Sequence, residues 1–249
     1  MTQNSVSENL LMWDQNYHWE SDGDEWQGQA RLCGVPYEEW KQSLIDHLIV
    51  PYLEPGGTAL EIAPGHGRWS EALAARAGRL VLVDLSPSCL AFCQQRFSGL
   101  THLDYRQGDG SSLPADCTGA IDLVWSFDSF VHISPLDIQS YLHHIQRVLK
   151  PGGLAVIHHA NRRHSTLWLA GIRRFGPRFT YLYRLLSIGN QERIDGWRSA
   201  MSQRLFRRMA RRAGLVVLDQ FQRWGNGRCG VPRHNDRITV LRKPEASER

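Results

Sequence analysis

Apolar positions along the chain fall into two alternating patterns. Thr58–Ile62, Arg79–Val83, Ile121–Trp125 and Leu154–His158 are short apolar runs bounded by Gly, Pro or acidic residues, and each reads as a buried strand. His102–Arg106 reads as a further short strand. Between them, apolar residues recur at helical spacing. Trp40, Leu44, Ile45 and Leu48 mark a helix over Pro36–Val50, and a second runs from about Arg68 to Ala77, with Gly78 placed to end it. Ser86-Pro87 is an N-cap followed by proline at the first helical position, opening a helix to about Phe97. Ser134-Pro135-Leu136-Asp137 opens another, which buries Leu142, Ile145 and Leu149 and is stopped by Lys150–Gly153. A helix over Ser202–Ala213 and strands at Leu215–Phe221 and Arg237–Leu241 complete the series. Strands alternating with helices predict an α/β fold: a Rossmann-like, mostly parallel seven-stranded sheet with helices on both faces.

The rhythm fails at two places, which sets the expected organisation of a single domain over 1–249. Residues 1–35 are polar with interspersed rings (Trp13, Tyr17, Trp19, Trp26) and read as an aromatic arm folded over the domain. Residues 162–200 mix arginines and aromatics around a Gly-Pro break and read as an inserted helical lid. The remainder divides into a ligand-binding core at 58–160 and the C-terminal part of the sheet at 201–243.

Composition adds three constraints. No run approaches 18 apolar residues, so no membrane span is expected. The N-terminus lacks the basic and apolar regions of a signal peptide, and the five cysteines are scattered, so a reduced, cytoplasmic protein is expected. The net charge of +4 is unevenly placed. Arg162–Arg212 holds thirteen arginines, no lysine and two acids, which leaves the rest of the chain net acidic.

The richest segment is Ala59-Leu-Glu-Ile-Ala-Pro-Gly-His-Gly-Arg68, followed by Leu80-Val-Leu-Val-Asp-Leu-Ser86. Gly65 and Gly67 allow close backbone approach to a ligand. Asp84 follows at the distance, about 20 residues, at which an acid at a strand end grips ribose hydroxyls. A ligand carrying a nucleoside is expected. A dinucleotide is disfavoured, because Pro64 removes a backbone donor and His66 adds bulk where a pyrophosphate needs a free helix N-terminus.

Glu61-Ile-Ala-Pro-Gly-His-Gly67 resembles motif I of the class I S-adenosylmethionine-dependent methyltransferases, with Ala63 in place of the first glycine. Asp84, Gly108-Asp109-Gly110, Ile121–Asp128 and Leu149–Val156 continue the resemblance in order. Tyr17-His-Trp19, Gly23–Trp26, Phe127–His132 and His158–Asn161 resemble a bacterial subgroup found with glycan or secondary-metabolite pathways. The resemblance implies S-adenosyl-L-methionine as cofactor. It implies that Glu61 orients the loop and approaches the methionine amino group, and that Ala63, Gly65, Gly67 and Arg68 form the methionine and ribose portion. Asp84 with Leu85 would take the ribose hydroxyls, Asp109 beside Gly110 the adenine amine, and Ser126 and Phe127 the pocket after the fourth strand. Tyr17 and Trp26 would close the arm.

Methyl transfer to a hydroxyl needs alignment, exclusion of water and a base near neutral pKa. His132, four residues past Asp128 on the rim after the fourth strand, is the expected base, with Asp128 lining or orienting it. Only one of His158 and His159 can face the cleft, since side chains alternate along a strand. His159 is the choice here, with Asn161 beside it for substrate contact. Arg173, Arg174 and Tyr181 of the lid are further substrate candidates, able to clamp a carboxylate or phosphate. Asp128, Asn235 and Asp236 could supply oxygens to magnesium, but form no tight acidic motif, so no metal is expected. The arginines of Ser202–Ala213 flank an apolar face and read as the solvated side of an amphipathic helix. An O-methyltransferase acting on a small metabolite or glycan-type acceptor is the expectation. The alternatives are N-methylation, an RNA acceptor drawn by the arginines, or a protein that binds the cofactor without transfer. No recognised RNA-binding module flanks the domain, which counts against RNA. The oligomeric state is not legible.

Overall fold

Apolar residues on alternating sides of each strand build a layered core, seen in a computed structural model that describes residues 4–17, 19, 27–162, 198–245 and 247. The strands are β1 (Thr58–Ile62), β2 (Arg79–Asp84), β3 (Leu103–Gln107), β4 (Ile121–Phe130), β5 (Leu149–His159), β6 (Val216–Phe221), β7 (Arg223–Trp224), β8 (Cys229–Gly230) and β9 (Arg237–Arg242). The helices are α1 (Val6–Leu10), α2 (Gly28–Cys33), α3 (Tyr37–Leu44), α4 (Ser70–Ala74), α5 (Pro87–Arg96), α6 (Pro135–Val148) and α7 (Gln203–Arg212). The first and third continue as π-helical turns at Leu11–Asn16 and Ile45–Ile49.

Seven strands form one sheet in the order β3-β2-β1-β4-β5-β9-β6, parallel except for β9, which runs antiparallel to both neighbours. Leu80, Leu82, Leu123, Trp125 and Val156 face one layer, made by α3, α4 and α5 with Trp40, Leu44, Leu73 and Cys93. Val81, Val83, Val124, Ala155 and Ile157 face the other, made by α6 and α7 with Ile138, Leu142, Ile145 and Phe206. This is the two-sided burial that parallel strands require.

Helix starts follow their chemistry. Ser86, Ser134 and Ser202 each accept a backbone N–H of the first turn. The expected bounds shift in two informative places. The helix expected over Arg68–Ala77 is regular only at Ser70–Ala74, because the glycine loop runs into it. The strand expected to end at Trp125 continues to Phe130 across a register shift between Ser126 and Phe130. Strand order reverses between β1 and β4, which opens a crevice at the carboxyl ends of the parallel strands. Among the described residues, no helix is long and apolar enough to cross a membrane.

Candidate functional site

A cavity of about 580 Å³ occupies that crevice, within the range of small-molecule sites. Its floor is the turn after β1. Ala63, Gly65 and Gly67 all have positive φ (57°, 57° and 82°). The indole of Trp19 lies where a side chain at 65 would stand, 2.8 Å from that position, and the ring of Phe97 does the same at 67, at 2.6 Å. Glycine is required twice over, by backbone sign and by contact. At the end of β2, Asp84 ties the turn to the next loop: it accepts from Gly65 N (3.1 Å) and Ser86 N (2.9 Å). Burial outweighs these hydrogen bonds and pushes its carboxyl up to about 6.

The arm closes over this floor. Asp14 accepts from Ser86 Oγ (2.7 Å), Ser88 Oγ (2.8 Å) and Ser88 N (3.2 Å) on one rim. On the other rim, Asn4 and Asn9 amides donate to the carbonyl of His132 (2.8 and 3.2 Å). Between these anchors, Trp13 lies 5.1 Å from the His132 ring, Tyr17 packs edge-on to Trp19, and Trp19 stacks on His66 at 4.7 Å.

The far wall is polar and buried. Asp128 sits in the β4 irregularity with φ 64°, a left-handed conformation that costs an aspartate free energy. Its carboxylate is held by Arg68 Nη2 (2.7 Å) and faces His158 Nδ1 (3.1 Å). The other ring nitrogen of His158 lies 3.4 Å from Asp236, too poorly aligned for a hydrogen bond, and Asp236 is bound by Arg198. Arg68, Asp128, His158, Asp236 and Arg198 thus form a series in which His158, whose Nδ1 also accepts the Asp128 backbone N–H, stands between two carboxylates that each hold an arginine. Burial alone would lower the His158 pKa, but hydrogen bonding and the charges of Asp128 and Asp236 raise it above the ordinary value. Burial opposes the charge of Asp128, yet Arg68 and His158 overcome it and hold that carboxyl well below the usual range. Arg68 is 6 % exposed, and its Nη1 has no hydrogen-bond partner among the described residues. A buried guanidinium nitrogen without a partner, on a residue that lines the cavity, fits a ligand anion.

The structure brings Tyr17, Ala63, Gly65, Arg68, Asp84, Leu85, Gly110, Phe127, Asp128 and His132 onto one cavity wall. It places others elsewhere. Glu61 is buried behind the turn, where Ser70 donates to it at 2.6 Å, and burial pushes its carboxyl up to about 8. Asp109 closes its own turn, accepting from the backbone and hydroxyls of Ser111 and Ser112. Ser126 is buried against the Ile62 carbonyl and Ser129. None of these three lines the cavity, and neither does Gly67, which stands against the Phe97 ring.

His159 is a clear correction. It faces away from the cleft, with Nε2 2.7 Å from Thr239 Oγ1 and its ring stacked on Phe206 at 3.9 Å; burial drives its pKa down to about 3. Alternation along the strand holds, but His158 is the residue on the cleft side. Asn161 is also corrected: its Oδ1 accepts from Gln203 N and ties down the start of α7. The carboxylates of Asp128 and Asp236, considered as metal oxygens, each face an arginine. Trp26, Arg173, Arg174, Tyr181 and nearly all of the expected lid lie outside the described residues.

Sequence reading missed the Asp14 anchor, the Asn4 and Asn9 anchors and the His158–Asp236–Arg198 half of the charge series. Pattern carries no signal for them, since their partners lie far along the chain. The arginines of α7 sit on its outer side, with Phe206 and Ala210 buried, as the spacing implies.

Residues 59–153 match the family model described as a methyltransferase domain. A ubiquinone biosynthesis O-methyltransferase of Azotobacter vinelandii is 30% identical over 139 residues, 55% of this chain and 56% of the relative. Its counterpart in Xanthomonas oryzae pv. oryzae is 26% identical over 177 residues, 68% of this chain and 69% of the relative. The chain thus spans little more than half the length of the first of these relatives. A geranyl diphosphate methyltransferase solved with GPP and sinefungin superposes with a TM-score of 0.64 at 15% identity, over 96% of this chain and 99% of that one, a likeness of fold. The seven-stranded order, the glycine turn and the acid at the end of β2 accompany these matches, and over residues 59–153 the chain is similar to the class I S-adenosylmethionine-dependent methyltransferases.

Proposed function

We propose that the chain transfers the methyl group of S-adenosyl-L-methionine to a hydroxyl oxygen of a small-metabolite or glycan-type acceptor. The observation that carries this is the pair of groups lining one cavity: the Asp84 carboxylate at the end of β2 and the buried Arg68 guanidinium, whose Nη1 has no hydrogen-bond partner among the described residues. The first suits the ribose diol and the second the methionine carboxylate of a zwitterionic nucleoside. The apolar stretch by Val6, Leu85 and Val131 suits the adenine. A pyrophosphate would meet no free run of amides here, because Pro64 lacks its N–H and Gly65 N is committed to Asp84. The names of the relatives support oxygen as the accepting atom.

The bound cofactor supplies an already activated methyl group. The chain's own residues align the acceptor, exclude water and remove one proton. Trp13, Tyr17 and Trp19 cover the site and keep it dry. His132, on the rim between the arm and the cleft, takes the acceptor proton. Phe127 and Asp128 shape the wall against which the acceptor lies, with Asp128 fixed by Arg68 and His158. Titration with S-adenosylhomocysteine, followed by a mass gain of one methyl in a panel of hydroxylated acceptors, tests the reading. Binding of a nicotinamide dinucleotide in place of S-adenosylhomocysteine would overturn it.

A further inference from the structure

The turn before β9, residues 232–236, is the least relaxed backbone in the described molecule. His234 and Asn235 are consecutive non-glycine residues with φ of 56° and 61°. Each costs roughly 1 kcal/mol or more, and such strain persists only where the surroundings impose it. Here they do. Gln29 accepts from Arg233 N (2.9 Å), Gln222 donates to Asn235 Oδ1 (3.1 Å), and Arg237 donates to the carbonyls of Asn235 and Asp236.

The turn separates two charges. Asp236 is directed inward to Arg198 and His158, while Arg233 is directed to the cavity wall. Among the described residues, the Arg233 guanidinium meets no carboxylate and no hydrogen-bond acceptor. It is nonetheless seated: its Nη1 lies 2.6 Å from where a β-carbon on Gly28 would be. The other cavity-wall arginines each have a carboxylate partner, Arg68 in Asp128 through its Nη2 and Arg198 in Asp236. Among the described residues, Arg233 is therefore a placed cation without a counter-charge.

Its location separates it from the cofactor end. Arg237 pairs with His159 at the carboxyl end of β5, so the turn stands on the ligand rim of the sheet, across β1, β4 and β5 from Asp84 on β2. We infer that Arg233 is the specificity residue of the acceptor subsite and that the acceptor carries an oxyanion, a carboxylate or a phosphate, beside the group that is methylated. The planar guanidinium fork matches either anion. This rests on the reading of the cavity as a methyl-donor and acceptor site.

Calorimetry on the full chain saturated with S-adenosylhomocysteine tests it, with benzoate and phenyl phosphate as probes and benzyl alcohol as the neutral control. At least one anion is expected to bind ten-fold or more tightly than benzyl alcohol. Arg233→Gln should weaken that anion ten-fold or more, and Arg233→Lys should restore part of it. Gly28→Ala should weaken it too, by displacing the guanidinium. Arg204→Ala, on the outer side of α7, should leave it unchanged. The tighter of the two anions assigns the acceptor as a carboxylate or as a phosphate ester. Equal anion affinity in Arg233→Gln and the parent protein, or no preference over benzyl alcohol with S-adenosylhomocysteine bound, overturns the inference alone. Failure of S-adenosylhomocysteine itself to bind overturns the cofactor reading and this inference with it.

Discussion

The two halves of the cavity are built on different principles. The half under β1 and β2 is local: a turn of five residues and an acid at the end of the next strand hold one another through backbone N–H groups. The half under β4, β5 and β9 is assembled across the chain. Arg68, Asp128, His158, Arg198 and Asp236 meet through contacts spanning 30 to 78 residues, each between different parts of the chain. A local half can be recognised as a motif. An assembled half can be recognised only once the sheet order is known. The difference also predicts response to mutation: stability of the first half follows backbone conformation and close contact at the turn, whereas the second fails when one charge is removed.

The largest effect is expected at His132, where the arm meets the acceptor side. His132→Ala should lower turnover by roughly a hundred-fold or more, the usual contribution of a general base, with S-adenosylhomocysteine affinity nearly unchanged. Unaltered turnover across pH in this variant would remove it from the mechanism.

Next comes His158, the centre of the far half. His158→Gln leaves Asp128 and Asp236 near one another without the imidazole between them. It should cost roughly 3 kcal/mol in urea unfolding, at the low end for a broken buried pair because each carboxylate keeps its arginine. The pH dependence carries a sharper test. The folded-state pKa of His158 is raised, so its contribution is full below the unfolded value of about 6.5 and is lost as pH rises through the higher folded value. The parent protein should therefore lose stability as pH rises above about 6.5, and the variant should lack that decline. Asp128 and Asp236 have lowered pKa values. Their contribution is present above about 3.9 and fades only as pH falls through the depressed values, so the acid limb should survive in the variant.

In the near half, Asp84→Asn keeps shape and should weaken S-adenosylhomocysteine by roughly ten- to fifty-fold, the loss of charge-assisted hydrogen bonds to a ligand diol. Asp14→Ala should act on the same ligand more weakly and through kinetics. The Asp14 anchor to Ser86 and Ser88 covers the cavity, so its loss should speed dissociation about five-fold, corresponding to about 1 kcal/mol of net hydrogen bonding. Stopped-flow release of S-adenosylhomocysteine separates this from a change in association.

The local half was the legible one. The turn over Glu61–Gly67 and the position of Asp84 are visible in sequence because their spacing is short and their residue types are constrained. Even there, Glu61 and Asp109 did not fall on the cavity wall, since each satisfies itself on a near neighbour, Ser70 or the Ser111-Ser112 turn. In the far half, alternation on β5 narrowed the histidines to one and could not say which. The β4 irregularity shifts the pairing by an amount that hydrophobic pattern does not encode, and it is that shift which presents Asp128 to His158. Asp236 and Arg198 were visible as charges but not as a pair, because nothing between residues 158 and 236 sets their distance.

The smallest effect isolates the contrast. Ala63 and Asp128 share a left-handed backbone, with φ of 57° and 64°. Ala63 stands where the glycine turn begins, and its N–H is spent on the Val83 carbonyl at 2.7 Å. Its methyl is only partly buried against the core, and Ala63→Gly should relieve the roughly 1–2 kcal/mol cost of an L-residue in this region. Glycine's greater chain entropy returns about half of that. A net gain of about 0.5–1 kcal/mol, or a rise of about 1–4 °C in Tm, is expected in a thermal scan. Asp128→Gly relieves the same backbone but leaves Arg68 and His158 without their carboxylate, and should destabilise by about 2–3 kcal/mol. Opposite signs at two positions of nearly equal φ would show that conformation governs the near half and charge the far half. A loss of stability in Ala63→Gly would mean that packing of the methyl against the core, rather than the sign of φ, decides what the turn accepts.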